Sequence, residues 1–239
     1  GSSNANAPGA HRFKIDLTLT KKNVETEKNV ILEERFQRIE SDPSSLLDES
    51  MRSILYPNHP YGRPIIGWKH EIMELDYDDV QSFYKTHYEP RNAILVISGD
   101  VNLKKAKEIV KKNFSKIKNT NTSKFKETLD PDLNSQVFVE KKHPTVKQDI
   151  WKKLYRVDSY NKSIKRGIAL DLGMKIIAGG TSSLLYDEFV NKKKIFSMVG
   201  GFYQGLSRGD GYVYFYAIPN EKIEQKKIDN LIMEQIKTL

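Results

Sequence analysis

The chain has 239 residues, with Lys plus Arg exceeding Asp plus Glu by 39 to 31, a net charge of +8, and no cysteine. This length can bury a substantial core, as one large domain or as two of ordinary size, and the lack of cysteine excludes disulfides, thiolate metal sites and cysteine nucleophiles, so that any metal must use His, Asp or Glu. The basic residues are spread along the chain, the longest lysine run being Lys192 to Lys194; this reads as a solvated face rather than a nucleic-acid footprint, and no apolar run approaches the roughly 18 residues of a membrane span.

Gly1 to Ala10 is a small, polar lead. Phe13, Ile15, Leu17 and Leu19 alternate with polar residues, the period-two pattern of a half-exposed edge strand. From Glu25 to Ile39 the period becomes helical. Asp42-Pro43 opens a second helix with Leu47, Met51, Ile54 and Leu55 on one face, stopped by Tyr56-Pro57. After a Pro- and Gly-rich loop from His59 to Gly67, Asp76 or Asp78 caps a helix ending before Pro90. Ala93 to Ile97 is continuously apolar and predicts a strand buried on both faces. Asn102 caps a helix carrying Leu103, Ala106, Ile109, Val110, Phe114 and Ile117.

Lys118 to Asn134 lacks periodicity and predicts a linker between two domains, 1–122 and 123–239. Beyond it the pattern predicts strands at Gln136 to Glu140 and around Asp149 to Tyr155. A helix from about Ser163 to Ile177 closes at Gly179-Gly180, and another starts at Thr181 or Ser182. A strand from Tyr212 to Ile218 carries alternating tyrosines, and a last helix runs from Glu224. The fold class is α+β, and the similar order of elements in the two parts suggests a duplicated unit.

The chemistry concentrates in Glu27 to Arg35. Residues seven apart lie on nearly one helix face, so Glu27 and Glu34 point together, with Val30 and Ile31 between them along an apolar stripe. A carboxylate on a core-facing stripe is costly unless a cation, a metal or strong donors receive it. Spacing alone favours a plainer reading, in which both flank the stripe in water and contact basic residues such as Arg38. Gly179-Gly-Thr-Ser-Ser lacks the Gly-Lys of a phosphate loop and reads as one helix's C-cap followed by another's N-cap.

Three segments in register, Glu27 to Arg35 with Arg38-Ile-Glu-Ser-Asp-Pro43, Tyr56-Pro-Asn-His-Pro-Tyr-Gly-Arg-Pro-Ile-Ile-Gly67, and Tyr88 to Val101, resemble the M16 zinc metallopeptidases of the pitrilysin, insulinase and mitochondrial-processing-peptidase type. Trp151, Tyr155, Ser159-Tyr160 and Gly179 to Tyr186 resemble that family's later domain. The resemblance implies two related α/β-sandwich units, each a mixed or antiparallel sheet with helices on one face. The first would be an incomplete zinc-domain portion and the second incomplete at its C-terminal end. It further implies zinc held by two histidines of an H-x-x-E-H helix and by a downstream glutamate, here Glu34, with Glu27 supporting the site from behind. The zinc would activate a water, and the Glu of the motif would take its proton.

None of His11, His59, His70, His87 and His143 has the H-x-x-E-H spacing. His59 reads as a structural or capping residue. Where many family members carry an Arg and a Tyr seven apart, this chain has Val190 and Ser197, which implies a second M16 subunit, identical or different, closing a clamshell over a peptide or unfolded polypeptide. Phe13 to Leu19 is the candidate edge for strand addition of that substrate. A bacterial periplasm or an organelle is the compartment the resemblance suggests. The competing reading is a non-catalytic M16-like subunit that binds peptide or supports assembly without metal.

Overall fold

A computed structural model of the chain describes residues 19–88, 93–117 and 128–238. The Phe13 to Leu19 strand and the start of the linker therefore fall almost wholly outside the described residues. The chain forms two compact units, Gly1–Arg35 with Ile66–Lys126, and Phe36–Ile65 with Glu127–Leu239. Among the described residues, no helix is long and apolar enough to cross a membrane.

In the first unit, helix α1 (Lys21–Arg35) packs against α3 (Lys69–Glu74) and α4 (Tyr77–His87). Val24 and Ile72 are buried between them. The Lys28 ammonium lies 3.4 and 3.2 Å from the Met73 and Leu75 carbonyl oxygens at the end of α3, where a cation satisfies helix carbonyls that have no partner within the helix. Arg35, also buried, donates from Nη1 to the Gly67 carbonyl at 2.7 Å. Asp76 caps α4 through a reciprocal capping box with Asp79, and Asn102 caps α5 (Leu103–Phe114), as their positions in the sequence predict.

Ala93 to Ile97 corrects the sequence expectation. It forms no strand, and Ile94, Leu95, Val96 and Ile97 are 92, 53, 80 and 49% exposed. An apolar run becomes a buried strand only when neighbouring strands take up its backbone groups, and none of the described residues does so.

The second unit is built on a three-stranded antiparallel sheet of order β1-β3-β2, with β1 (Trp151–Val157), β2 (Phe196–Gln204) and β3 (Gly211–Pro219). On one face Trp151, Phe196, Val199, Val213, Phe215 and Ala217 are buried together with Met174 and Ala178 of α6 (Ile164–Ala178) and Ile228 and Ile232 of α8 (Gln225–Lys237). Gly201 lets α6 come close, because a Cβ there would lie 2.8 Å from Met174 Cε. The same core takes Leu185 of the short helix α7 (Leu184–Tyr186) and Phe189 of the π-helical turn that continues it through Lys192. That helix starts at Leu184, two to three residues later than the sequence suggested, with Ser183 at the N-cap position but making no side-chain cap bond.

The opposite face carries Tyr212, Tyr214 and Tyr216, and helix α2 (Pro43–Leu55) lies against it. Asp42 caps α2 through Ser44 N and Ser45 N, with Pro43 in the first turn; its hydrogen bond with the Ser45 side chain is the main cause of a carboxyl pKa below the usual value. Lys152 on β1 reaches Ser44 and Asp48 of α2, and Arg52 donates to the Tyr212 hydroxyl at 3.0 Å. The predicted strand at Gln136 to Glu140 does not form either: Val137 and Phe138 are 58 and 74% exposed and pair with no strand among the described residues.

Candidate functional site

Glu27 and Glu34 sit on α1 as the seven-residue spacing requires, but the side they occupy differs from expectation. The buried side of the helix runs through Val24, Lys28, Ile31 and Arg35, and Val30 stands 54% exposed. Glu27 is exposed and Glu34 half-buried, so the pair borders the packed side rather than lying on it. The reason is angular. At 100° per residue Ile31 turns toward the α3 and α4 contact and Val30 turns away, which leaves the two carboxylates on the line between them. A carboxylate at such a border keeps part of its contact with water.

The described residues do not make a metal centre by themselves, for no three of their His, Asp or Glu side chains converge. Three of the described histidines, His59, His87 and His143, make local contacts. His70 is exposed on α3, and His87 is exposed and lies with its ring 4.4 Å from that of Phe83. The Nδ1 of His143 is 2.8 Å from the Thr145 hydroxyl. His59 is buried, and its Nδ1 accepts the Tyr61 N–H at 3.1 Å, capping the 3-10 turn Pro60–Gly62. That is the capping role its loop position suggested.

The Tyr56 to Ile65 part of the second motif is tied down within the second unit. The Asp130 carboxylate accepts from the backbone N–H groups of Asn58 and His59 at 2.8 and 2.9 Å. The Tyr56 hydroxyl donates to the Asp210 carbonyl at 3.1 Å, and the Tyr61 hydroxyl accepts from the Arg208 N–H at 2.9 Å. Arg156 lies 3.6 Å from Asp130 and 3.7 Å from Asp210, and Lys162 holds Asp210 at 2.5 Å. Burial pushes the Tyr56 phenol well above its ordinary pKa, so it remains a donor at all physiological pH. Periodicity could not have revealed this network, since its members come from four separate segments; the only hint was the density of Tyr, Asn, His and Pro in one loop.

Gly62 is required in this loop because a Cβ would run into the Tyr56 carbonyl oxygen. Gly62→Ala is expected to lower stability by about 1–3 kcal/mol, the usual range for forced overpacking. Gly173→Ala is the control: nothing lies within 4 Å of that Cβ, and on helix α6 alanine is favoured over glycine by about 1 kcal/mol. Thermal unfolding should therefore show a lower Tm for the first variant and an unchanged or higher one for the second.

The later motif residues are structural too. Trp151 is in the core, and the Ser159 carbonyl accepts from the N–H groups of Lys162 and Ser163 ahead of α6. The Tyr160 ring fills the space a side chain at Gly167 would need. Val190 packs at the core, and the exposed Ser197 donates from Oγ to the Ile218 carbonyl at 3.1 Å. Neither offers a guanidinium or a phenol.

Comparison with known proteins places these motifs in context. Residues 74–239 match the family model described as the peptidase M16 inactive domain. The zinc protease PqqE of Helicobacter pylori is 31% identical over 217 residues, 86% of this chain and 47% of that protein. The beta subunit of the mitochondrial-processing peptidase of Lentinula edodes is 28% identical over 94 residues, covering 39% of this chain and 20% of that one. The crystal structure of a protease from Helicobacter pylori superposes with a TM-score of 0.71 at 26% identity, covering 92% of this chain and 53% of that one. The chain thus spans about half the length of the relatives it matches most fully.

Proposed function

The chain belongs to the M16 peptidase family, and on that premise we propose that it forms part of a zinc-dependent metalloendopeptidase that hydrolyses peptides or unfolded polypeptides within a clamshell chamber. Glu34 supplies one zinc ligand and Glu27 supports it. The two histidines and the general base come from an H-x-x-E-H helix that this sequence does not contain. The observation that carries this reading is the position of the two carboxylates, seven residues apart at the border of α1, in a chain 31% identical over 217 residues to a protein named a zinc protease. Residues 1–122 are then the zinc-domain portion and 123–239 the second domain. A second M16 subunit completing the chamber accords with Val190 and Ser197, and the name of the fungal relative speaks of a subunit.

A second reading rests on its own observation. The matching family model, over residues 74–239, is described as an inactive domain. This favours a non-catalytic M16-like subunit that binds peptide or supports assembly without metal. A fluorogenic-peptide assay on this chain, alone and combined with an M16 segment carrying H-x-x-E-H, separates the two. The metallopeptidase reading expects cleavage only in the combination, lost on chelation and reduced at least about 100-fold by Glu34→Ala. Peptide binding without cleavage in any combination establishes the second reading instead.

A further inference from the structure

Among residues 129–138 every residue is exposed except Asp130, whose side chain is only 4% exposed. Its two oxygens are received separately. Oδ1 accepts the successive backbone N–H groups of Asn58 and His59 at 2.8 and 2.9 Å, and Oδ2 lies 3.6 Å from Arg156 Nη1. The same residues hold the backbone on either side: the Asn58 side-chain amide donates to the Leu129 carbonyl at 2.8 Å, and Arg156 Nη2 donates to the Pro131 carbonyl. Leu129, Leu133, Val137 and Phe138 all stand exposed, so the segment is held by these polar bonds and not by apolar burial.

Successive N–H groups converging on one oxygen make an anion-binding concavity, and hydrogen bonds to an ionised carboxylate are stronger than neutral ones. The nearby charges balance, Arg156 and Lys162 against Asp130 and Asp210, with Arg156 3.7 Å and Lys162 2.5 Å from Asp210. Taking Asp130 away leaves one positive charge in excess and two N–H groups without their acceptor, beside a guanidinium whose side chain is 10% exposed. Such a cradle favours uptake of an anion of matching shape, because unmet donors and an uncompensated charge are both costly. The loop that carries the two N–H groups keeps its other ties, from Tyr56 to the Asp210 carbonyl and from the Arg208 N–H to Tyr61. We propose that Asn58, His59 and Arg156 form a carboxylate-binding cradle in which Asp130 is the chain's own ligand, so that residues 129–131 are a strap held on the second unit by one carboxylate and released when that carboxylate is lost.

The test is chemical rescue of the whole chain, with amide exchange followed by nuclear magnetic resonance. Asp130→Ala is expected to speed exchange at Asn58 and His59 at least about tenfold while β3 is unchanged, and Asp130→Asn, of the same shape without the charge, should fall between that variant and the parent. Excess sodium formate should restore protection at those two amides in Asp130→Ala by at least about threefold and do nothing to the parent, whose cradle is filled. Sodium chloride at equal ionic strength should not match it. A nitroxide on Asp132→Cys, a unique thiol in a chain without cysteine, reads the strap: its spectrum should sharpen to that of a mobile label in Asp130→Ala and stay so when formate is added. Unchanged exchange at Asn58 and His59, no difference between formate and chloride, or a label as immobile as in the parent overturns the proposal. So does exchange at β3 that rises as much as in the loop in both Asp130 variants, since Asp130 is then a general support of the fold.

Discussion

Phe196→Ala is expected to destabilise the second unit by about 3–5 kcal/mol, the range for truncating a fully buried phenylalanine. The side chain is 1% exposed, and its ring centroid lies 5.2 Å from that of Phe189, itself 1% exposed. Phe196 opens β2, an outer strand of the sheet, and Phe189 comes from the π-helical turn, so the pair packs these two elements together at that end of the core, beside the Ile195 N–H bond to the Phe189 carbonyl. Against a total stability of about 5–15 kcal/mol, a loss of this size removes a large part of the folded population's margin. Phe202→Ala on the same strand is the comparison. At 45% exposure Phe202 has much less surface to lose, and its truncation should cost less than about 1.5 kcal/mol. Urea titration followed by intrinsic fluorescence distinguishes the two; equal midpoints would contradict the core assignment.

Asp48→Ala is expected to cost about 3 kcal/mol, more than most losses of a half-exposed carboxylate. The reason is Lys152, whose side chain is only 2% exposed. It donates from Nζ to Asp48 Oδ1 at 2.8 Å, to Ser44 Oγ at 2.6 Å and to the Ser44 carbonyl at 3.1 Å. Removing Asp48 leaves an ammonium out of water with neutral partners alone, and breaking one side of a buried pair costs about 3–5 kcal/mol. The lower figure applies because the Asp48 side chain is 35% exposed and water screens part of the attraction. The Tyr214 hydroxyl also donates to Asp48, at 3.3 Å, and burial first, with that carboxylate second, raises its pKa far above the ordinary phenol value. The double substitution Lys152→Met with Asp48→Leu, which replaces the pair by apolar groups, should recover most of the loss. If the double variant is as unstable as the single one, α2 is held on the sheet by something other than this pair.

The helices were the most legible part of the chain because their boundaries are written locally. Asp42-Pro43, Asp76, Asn102 and Ser163 each begin a helix where a side-chain oxygen can receive the first free N–H groups, and the structure shows those bonds at all four. Strands depend on partners far along the chain, and there reading from local pattern was weaker. The strand expected around Asp149 to Tyr155 stands at Trp151–Val157, and the one expected from Tyr212 to Ile218, where tyrosines alternate with Val213, Phe215 and Ala217, stands at Gly211–Pro219. Phe196–Gln204 was missed because Ser197, Gly200 and Gly201 interrupt it, and the two glycines make sense only once Tyr216 and Met174 are seen lying over them. Ala93 to Ile97 and Gln136 to Glu140 had strand-like composition without a neighbour among the described residues.

The candidate site was legible in its spacing but not in its exposure. Seven residues guarantee that Glu27 and Glu34 share a side of α1. Whether that side faces the core, the solvent or the border between them turns on a rotation of a few tens of degrees, which is set by Val24 and Arg35 packing with the segment that follows Ile66. Lys152 illustrates the opposite difficulty. A lysine in a strand is read as a surface residue by default, and its burial follows only from the arrival of α2 on the tyrosine face.

The measurement that bears most directly on the role of Glu34 is zinc stoichiometry by plasma mass spectrometry, on this chain combined with an M16 segment bearing H-x-x-E-H and dialysed against a weak chelator. The account predicts about one zinc per complex, a large loss of zinc with Glu34→Ala, and a smaller, roughly 10- to 100-fold, loss of affinity with Glu27→Ala. Zinc retained unchanged after Glu34→Ala, or absent from the intact combination, would contradict it.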